Sequence, residues 1–189
     1  RAIPVLVRRP PMWYGCAMNG FTVSSLAAVA AVLIPAGVYA KARVTVEAES
    51  AETVEAPMVL VRKDAVPENV RFIAGASGDA YLEIPQGAGN PPGNPGGKAV
   101  LQVDVPADGE YTLWCRVWWE DECANSFTVR IDDSAPFLFG ENATYKTWHW
   151  VRYPVARTAK PIRLAKGAHT VSFLNREDGV RLDQVVLSA

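Results

Sequence analysis

The chain has 189 residues, 49% of them hydrophobic and 21% charged, a composition that fills one core with a short appendage and excludes long disordered tracts. Residues 1–42 carry Arg1, Arg8, Arg9 and Lys41 and no acid, so the other 147 residues hold 15 basic and 20 acidic side chains, a net charge of −5. A net-acidic folded part without a Lys/Arg run argues against a nucleic-acid partner, and the two histidines, His149 and His169, leave little material for acid–base catalysis or a zinc centre.

From Phe21 to Ala40 the chain reads FTVSSLAAVAAVLIPAGVYA, an uncharged apolar stretch behind Arg8 and Arg9. Val38-Tyr39-Ala40 and Ala40-Lys41-Ala42 both have the small-x-small spacing of a signal-peptidase site. Residues 1–42 therefore read as a secretory signal, and residues 43–189 as a domain that is secreted or held at the cell surface. A retained anchor is the alternative, because about 20 apolar residues just span a bilayer; Pro35 weakens it, and any membrane contact would run through residues 21–40 only. Gly20-Phe21-Thr22-Val23 also looks like a type IV prepilin cleavage site, with Ser25 where an acid is usual, a reading that makes the segment filament-forming.

Cys16 precedes the apolar run, which leaves Cys115 and Cys123 in the exported part. An oxidising compartment permits a disulfide between them. A hairpin turning at residues 120–124 argues against it, since Cys115 would then face residue 128 or 129 and Cys123 would sit at the turn.

After Arg43 no helical period appears, and short alternating runs recur between turn signals. Strands are predicted over Val44 to Glu49, Tyr81 to Ile84 and Leu101 to Val105. From Tyr111 to Trp119, Tyr111, Leu113, Cys115, Val117 and Trp119 share one face while Thr112, Trp114, Arg116 and Trp118 share the other; aromatics on both faces imply that both are covered. Phe127, Val129 and Ile131 alternate with polar residues in the next run, and further strands are predicted at Trp148 to Tyr153, Ile162 to Leu164, His169 to Leu174 and Val180 to Leu187. Gln86 to Lys98, QGAGNPPGNPGGK, is a surface loop; it lacks GK[ST] and a following helix, so it is no phosphate cradle. The pattern predicts an all-β fold, a jelly-roll β-sandwich of two antiparallel sheets.

Several stretches match one pattern in order and spacing: Val46-Glu47-Ala48-Glu49-Ser50, Ala76-Ser77-Gly78-Asp79-Ala80-Tyr81-Leu82, and Gly109 to Val117. Asn125-Ser126-Phe127, Trp148-His149-Trp150, Lys166 to Val171 and Gly179-Val180-Arg181-Leu182-Asp183 follow. Together they resemble carbohydrate-binding modules of families 6 and 35, in the galactose-binding-like jelly-roll superfamily, over residues 43–189. The resemblance implies a non-catalytic domain that binds a polysaccharide or glycan, is appended to or associated with a carbohydrate-active enzyme, and holds a structural calcium ion.

The same resemblance assigns the calcium (Ca2+) to Glu47, Glu49 and Asp183, with backbone carbonyls completing the shell; hard cations take such oxygens, and on a strand the two glutamates would point the same way. Glycans stack a pyranose face on an aromatic ring while polar groups bond the hydroxyls. Trp148 is the first candidate platform, Trp118 and Trp119 the next, and Trp114, Trp150 and Tyr111 read as core or structural. Related modules often carry Asn two residues before the last-strand Asp; here it is Arg181, a residue that forks onto carboxylates or else pairs internally with Glu177, Asp178 or Glu120. Asn125, Asn175 and Arg176 are secondary candidates at strand ends. Glu120-Asp121-Glu122 reads as a solvated turn and Asn142-Ala143-Thr144 as a glycosylation sequon. A structural or adhesion domain of the same fold, with a degenerate sugar site, is the competing function. An enzyme is the third; two facing carboxylates would be required of a glycosidase, and no active-site motif is present.

Overall fold

The computed structural model of the chain describes residues 41–89, 96–154 and 161–189. The signal, anchor and prepilin-like readings of residues 1–40, and the centre of the Pro/Gly loop, lie outside the described residues. No helix among the described residues is long and apolar enough to cross a membrane.

Among the described residues twelve strands form two antiparallel sheets, as the alternation implies. In chain order they are β1 (Arg43–Glu47), β2 (Thr53–Glu55), β3 (Val59–Arg62), β4 (Ala80–Ile84), β5 (Lys98–Val105), β6 (Gly109–Trp118), β7 (Ser126–Ile131), β8 (Phe137–Gly140), β9 (Trp148–Tyr153), β10 (Ile162–Leu164), β11 (Gly167–Leu174) and β12 (Val180–Ser188). One sheet runs β2-β5-β11-β7-β8; the other has β12 and β6 at its centre. On the outer side of β12, β4 pairs with its first residues and β1 with its last. On the outer side of β6, β10 pairs near its start and β9 along the remainder. The chain passes repeatedly from one sheet to the other, which is the jelly-roll arrangement.

Inward-facing residues of both sheets make the core. Leu101, Val103 and Val105 of β5, Phe127 and Val129 of β7, and Val171 and Phe173 of β11 meet Leu113, Cys115 and Val117 of β6 and Val185 and Leu187 of β12, all at most 2% exposed. Each large side chain enclosed in this way contributes about 1.5–3 kcal/mol. Trp119, Phe127 and Phe173 continue the contact across the sandwich, with ring centroids 5.7 and 5.6 Å apart.

The structure corrects one expectation about topology. β6 and β7 lie in different sheets, so residues 119–125 form an arch and not a hairpin. Cys115 faces Val185 of β12 and Val151 of β9, and both cysteines are free, Cys115 buried and Cys123 exposed. Gly140 in β8 shows how tightly the arch is seated: a Cβ there would lie 2.3 Å from the Asn125 carbonyl oxygen. β2, β3 and β8, three or four residues each, were not among the predicted strands.

A second, smaller cluster sits outside the sandwich. The segment from Lys63 to Asp79 folds over one half of the outer face of the β12/β6 sheet, where Ile73, Phe72 and Val70 cover Val61, Tyr81, Trp118 and Trp148. Tyr81 holds this roof down, its hydroxyl accepting the Ile73 N–H at 2.8 Å and donating to the Arg71 carbonyl at 3.2 Å.

Candidate functional site

The roof accounts for Trp148. Its indole N–H donates to the Ala74 carbonyl at 3.0 Å, and its ring meets Tyr81 and Trp118 edge-on at 5.4 and 5.8 Å. The Arg116 guanidinium lies 5.5 Å from the same ring centroid. Trp148 is therefore a fastener between roof and sheet, with Trp118 beside it. Trp119 is fully buried in the core and offers no face to a ligand, which corrects the expectation for that residue.

Arg181 is also corrected as an open reader of carboxylates. It is 5% exposed and bonds inward, to Glu83 Oε1 at 3.0 Å and Glu120 Oε2 at 3.0 Å, with the Gly179 carbonyl at 3.2 Å. Of the internal partners considered from sequence, Glu120 is the one used; Glu83, only 3% exposed, was missed. Burial raises the Glu83 carboxyl above its ordinary range, opposed by the adjacent guanidinium.

The remaining rim candidates are tied to one another. Glu177 accepts the Asn125 N–H at 2.9 Å and the Ser126 hydroxyl at 2.6 Å, and Arg176 donates to both Ser126 and Glu177. Asn175, 5% exposed, donates to the Ala88 carbonyl at 3.0 Å. Asp178 accepts from Gln86 and the Gly87 N–H. These bonds join the segment before β7 to the segment before β12, and the latter to the start of the Pro/Gly loop.

Glu47, Glu49 and Asp183 occupy one region, by a route the alternation did not foresee. β1 ends at Glu47, and Glu49 stands in a 3-10 turn over Ala48–Ser50 instead of on the strand. Asp183 sits where the β12–β6 register shifts, between Leu182 and Gln184, and is fully buried. Its Oδ1 accepts the Ser77 N–H at 2.8 Å and its Oδ2 pairs with Arg116. Glu47 Oε1 accepts from Gln184 at 2.7 Å, whereas Glu47 Oε2 and Glu49 Oε2 are buried without a hydrogen-bond donor. Burial first, then the charges of Glu47 and Asp183, raise the Glu49 carboxyl. Gly78, at φ +59°, passes so close that a Cβ would lie 2.9 Å from Glu49 Oε1. Two buried carboxylate oxygens lacking donors fit a hard cation, although among the described residues no three acid, His or Cys side chains converge on one point.

What the roof leaves open is the other half of the outer face. There β9, β6, β12 and β1 lie side by side, with Arg152 opposite Trp114, Trp114 opposite Val186, and Ser188 opposite Arg43. A shallow concavity is lined by Arg43, Trp114, Trp150, Val186 and Ser188. Trp150 is 43% exposed, and the Arg152 guanidinium lies 6.0 Å from the Trp114 ring centroid. Sequence reasoning had put Trp114 and Trp150 in the core or a structural role. Parity sets Trp114 on the outer face with Thr112 and Arg116, but the aromatics there implied that this face is covered; the same parity along β9, which was not read, sets Trp150 beside Arg152.

No family model and no curated protein sequence matches the chain. Solved structures do. A GH26-CBM35 β-(1,4)-mannanase from Podospora anserina aligns at 17% identity and a TM-score of 0.55, over 78% of this chain and 28% of that one. A family 35 carbohydrate-binding module from Clostridium thermocellum aligns at 18% identity and a TM-score of 0.53, over 77% of this chain and 98% of that module. An exo-β-1,3-galactanase from Phanerochaete chrysosporium aligns at 13% identity and a TM-score of 0.54, over 77% and 29% of the two chains. The likeness shows the jelly-roll fold of such modules, and this chain spans less than a third of either enzyme.

Proposed function

We propose that residues 43–189 are a non-catalytic carbohydrate-binding module that takes a polysaccharide on the open half of its β12/β6 sheet. One observation carries the reading: Trp114 and Trp150 lie together on an exposed, concave sheet face in a fold shared with a complete family 35 module. An indole face packs against the apolar C–H face of a pyranose, and guanidinium and hydroxyl groups beside it supply donors for ring hydroxyls. Export behind the apolar segment at residues 21–40 and association with a carbohydrate-active enzyme accord with this reading; in the mannanase and the galactanase the aligned part is less than a third of the chain.

Glu47, Glu49 and Asp183 would hold a calcium ion, with the Ser77–Asp79 turn of the roof beside them. When bound, the ion neutralises carboxylates that otherwise repel. Of this chain's own groups, Arg116 supplies part of that neutralisation and Gln184 orients Glu47.

The test is retardation of the protein in gels containing neutral or acidic polysaccharides. Trp150→Ala is expected to weaken retention by roughly 1–3 kcal/mol while stability changes by about 1 kcal/mol or less, as for other exposed positions. No retardation by any polymer, from a folded protein, would leave the structural or adhesion domain. For the metal, chelator is expected to lower the melting temperature and Glu49→Ala to abolish that sensitivity; a melting curve indifferent to calcium and chelator would remove the ion.

A further inference from the structure

We infer that His169 is a proton-operated latch between the two sheets: charged, it holds the β10–β11 turn to the end of β7, and on losing its proton it releases that turn and lets β10 lift from the edge of β6. The ring stands at the start of β11, opposite Val103 of β5, and its side chain is 12% exposed. Nδ1 lies 2.7 Å from Asp132 Oδ2, and Nε2 lies 2.8 Å from the Ala165 carbonyl oxygen. A carboxylate and a carbonyl only accept, so both contacts are hydrogen bonds only when both ring nitrogens carry a proton. Asp132 follows β7 in the five-stranded sheet, whereas Ala165 follows β10, whose partner β6 belongs to the other sheet. One imidazolium therefore ties the two sheets together at an end of the sandwich.

The two ends of the tie are unequal. Asp132 is fixed, its N–H donating to the Thr170 carbonyl at 2.9 Å and its Oδ1 accepting the Thr170 N–H at 2.8 Å. Ala165 is exposed, and no backbone N–H among the described residues reaches its carbonyl. When one proton leaves, the carboxylate keeps the other, because a bond to an ionised acceptor is the stronger. The neutral ring then turns a lone pair towards the Ala165 oxygen, and that contact becomes repulsive. Gly167, at φ +125° with nothing within 4 Å of where a Cβ would stand, gives the turn room to swing. Little else holds β10: three residues pair it with Gly109–Tyr111, its Arg163 meets Glu110 in an exposed ion pair, and the Lys166 N–H donates to Asp108 at 2.6 Å. Beneath it, Ile162 and Leu164 close a cleft against Ile131, Phe137 and Tyr153. The charged groups around the ring are Asp132 and Asp133 after β7, Asp104 on β5, Asp108 before β6, and Arg163 and Lys166 beside the turn. Among the described residues only Asp132 lies within ion-pair distance of it. The Asp132 bond first, then the Ala165 carbonyl, raise the histidine above its ordinary value, so release falls on the alkaline side of about pH 6.5.

The experiment follows amide hydrogen exchange of the full chain at about pH 6 and about pH 9, corrected for the intrinsic rates, together with nitrogen NMR of the imidazoles. Exchange in β10 and at Lys166 and Gly167 is expected to rise roughly tenfold between the two, the worth of one hydrogen bond to a charged group, while the interiors of β5, β7 and β11 keep their protection. The neutral His169 ring is expected as the Nδ1–H tautomer. Asp132→Asn should move the midpoint of the change to lower pH, since it removes the charge that favours the imidazolium. His169→Asn keeps a donor towards Asp132 and none towards Ala165, so its β10 should exchange as fast at the lower pH as the parent does at the higher. Equal corrected protection of β10 at both values overturns the latch, and so does a rise shared by all strands. An Nε2–H tautomer in the neutral ring, or a pH dependence that survives unchanged in His169→Asn, removes His169 from the role.

Discussion

Replacing Arg181 by methionine would leave Glu83 buried without its cation. The two side chains are 6% and 3% exposed and meet at 3.0 Å, where Coulomb's law at an effective dielectric of about 20 gives a gross attraction of about 5 kcal/mol. Breaking a buried pair from one side costs about 3–5 kcal/mol, because the surviving charge has lost its counterion. Methionine keeps much of the side-chain volume, so little of the loss would come from a cavity. At about 2–4 °C per kcal/mol for a domain of this size, the melting temperature should fall by roughly 10 °C. The loss should also depend on pH in a definite direction. Burial raises the Glu83 carboxyl and Arg181 opposes that rise; without the arginine it rises further. A carboxyl raised in the folded state favours folding when protonated, and that advantage is lost as pH rises through its folded pKa. The deficit of the variant should therefore be largest near pH 7 and shrink as pH falls towards 5, and Glu83→Gln in the same chain should recover part of it. Urea unfolding followed by tryptophan fluorescence measures the cost, its pH dependence and the recovery, and thermal unfolding gives the melting temperature. A variant within about 0.5 kcal/mol of the parent at pH 7 would refute the buried triad and return Arg181 to the candidate ligand contacts.

Trp148→Ala should cost about 2–4 kcal/mol, unlike Trp150→Ala, because it unfastens the roof; equal melting temperatures for the two variants would contradict that division. Tyr81→Phe should cost about 1–3 kcal/mol, since the Ile73 N–H loses its buried acceptor, and hydrogen exchange at that amide should speed up in step; unchanged protection there would show that the roof is held by other contacts. Gly140→Ala should destabilise by at least ~1–3 kcal/mol, as overpacking against backbone does, and a neutral result in thermal unfolding would mean the arch can retreat. His169 is raised by its hydrogen bond to Asp132, at 2.7 Å, and by the Ala165 carbonyl, at 2.8 Å. Its stabilisation is complete below the ordinary histidine value of about 6.5 and is lost as pH rises through the raised value, so the melting temperature should decline more between about pH 6 and 8 in the parent than in His169→Asn.

Inside–outside parity was legible along β5, β6 and β7, because strands half-buried in a sandwich alternate strictly, and their inward-facing residues followed from it. Which sheet each strand joins was not. Two alternating runs joined by a short acidic turn read as a hairpin, and only the claims of β9, β10 and β12 on the edges of β6 exclude β7 from it. β3 escaped notice because Val59, Leu60 and Val61 are all apolar: its outer face is covered by the roof, so alternation disappears. The same roof decided the site. The outer face of β6 carries Trp114, Arg116 and Trp118 in sequence, yet it is a segment with little regular structure, over forty positions earlier in the chain, that packs against Trp118 and stops short of Trp114, which lines the open concavity. Arg181 could be seen as either a ligand contact or an internal partner, and the choice turned on Glu83, which looks from sequence like any polar strand residue.

β1 and β12 pair so that Arg43 faces Ser188 and Glu47 faces Gln184, and the Ala189 N–H closes onto the Ala42 carbonyl at 2.9 Å. The two ends of the sandwich thus leave side by side from the same end of one strand pair. Tension between them would load the inter-strand bonds one after another, as in a zipper, instead of shearing them together. Peeling would begin at Ala42, take Arg43 off the tryptophan face next, and reach Glu47 and the buried carboxylates last. The open tryptophan face and the strand that carries part of it would then yield to force in a fixed order, with the face proposed for the glycan giving way before the sandwich does.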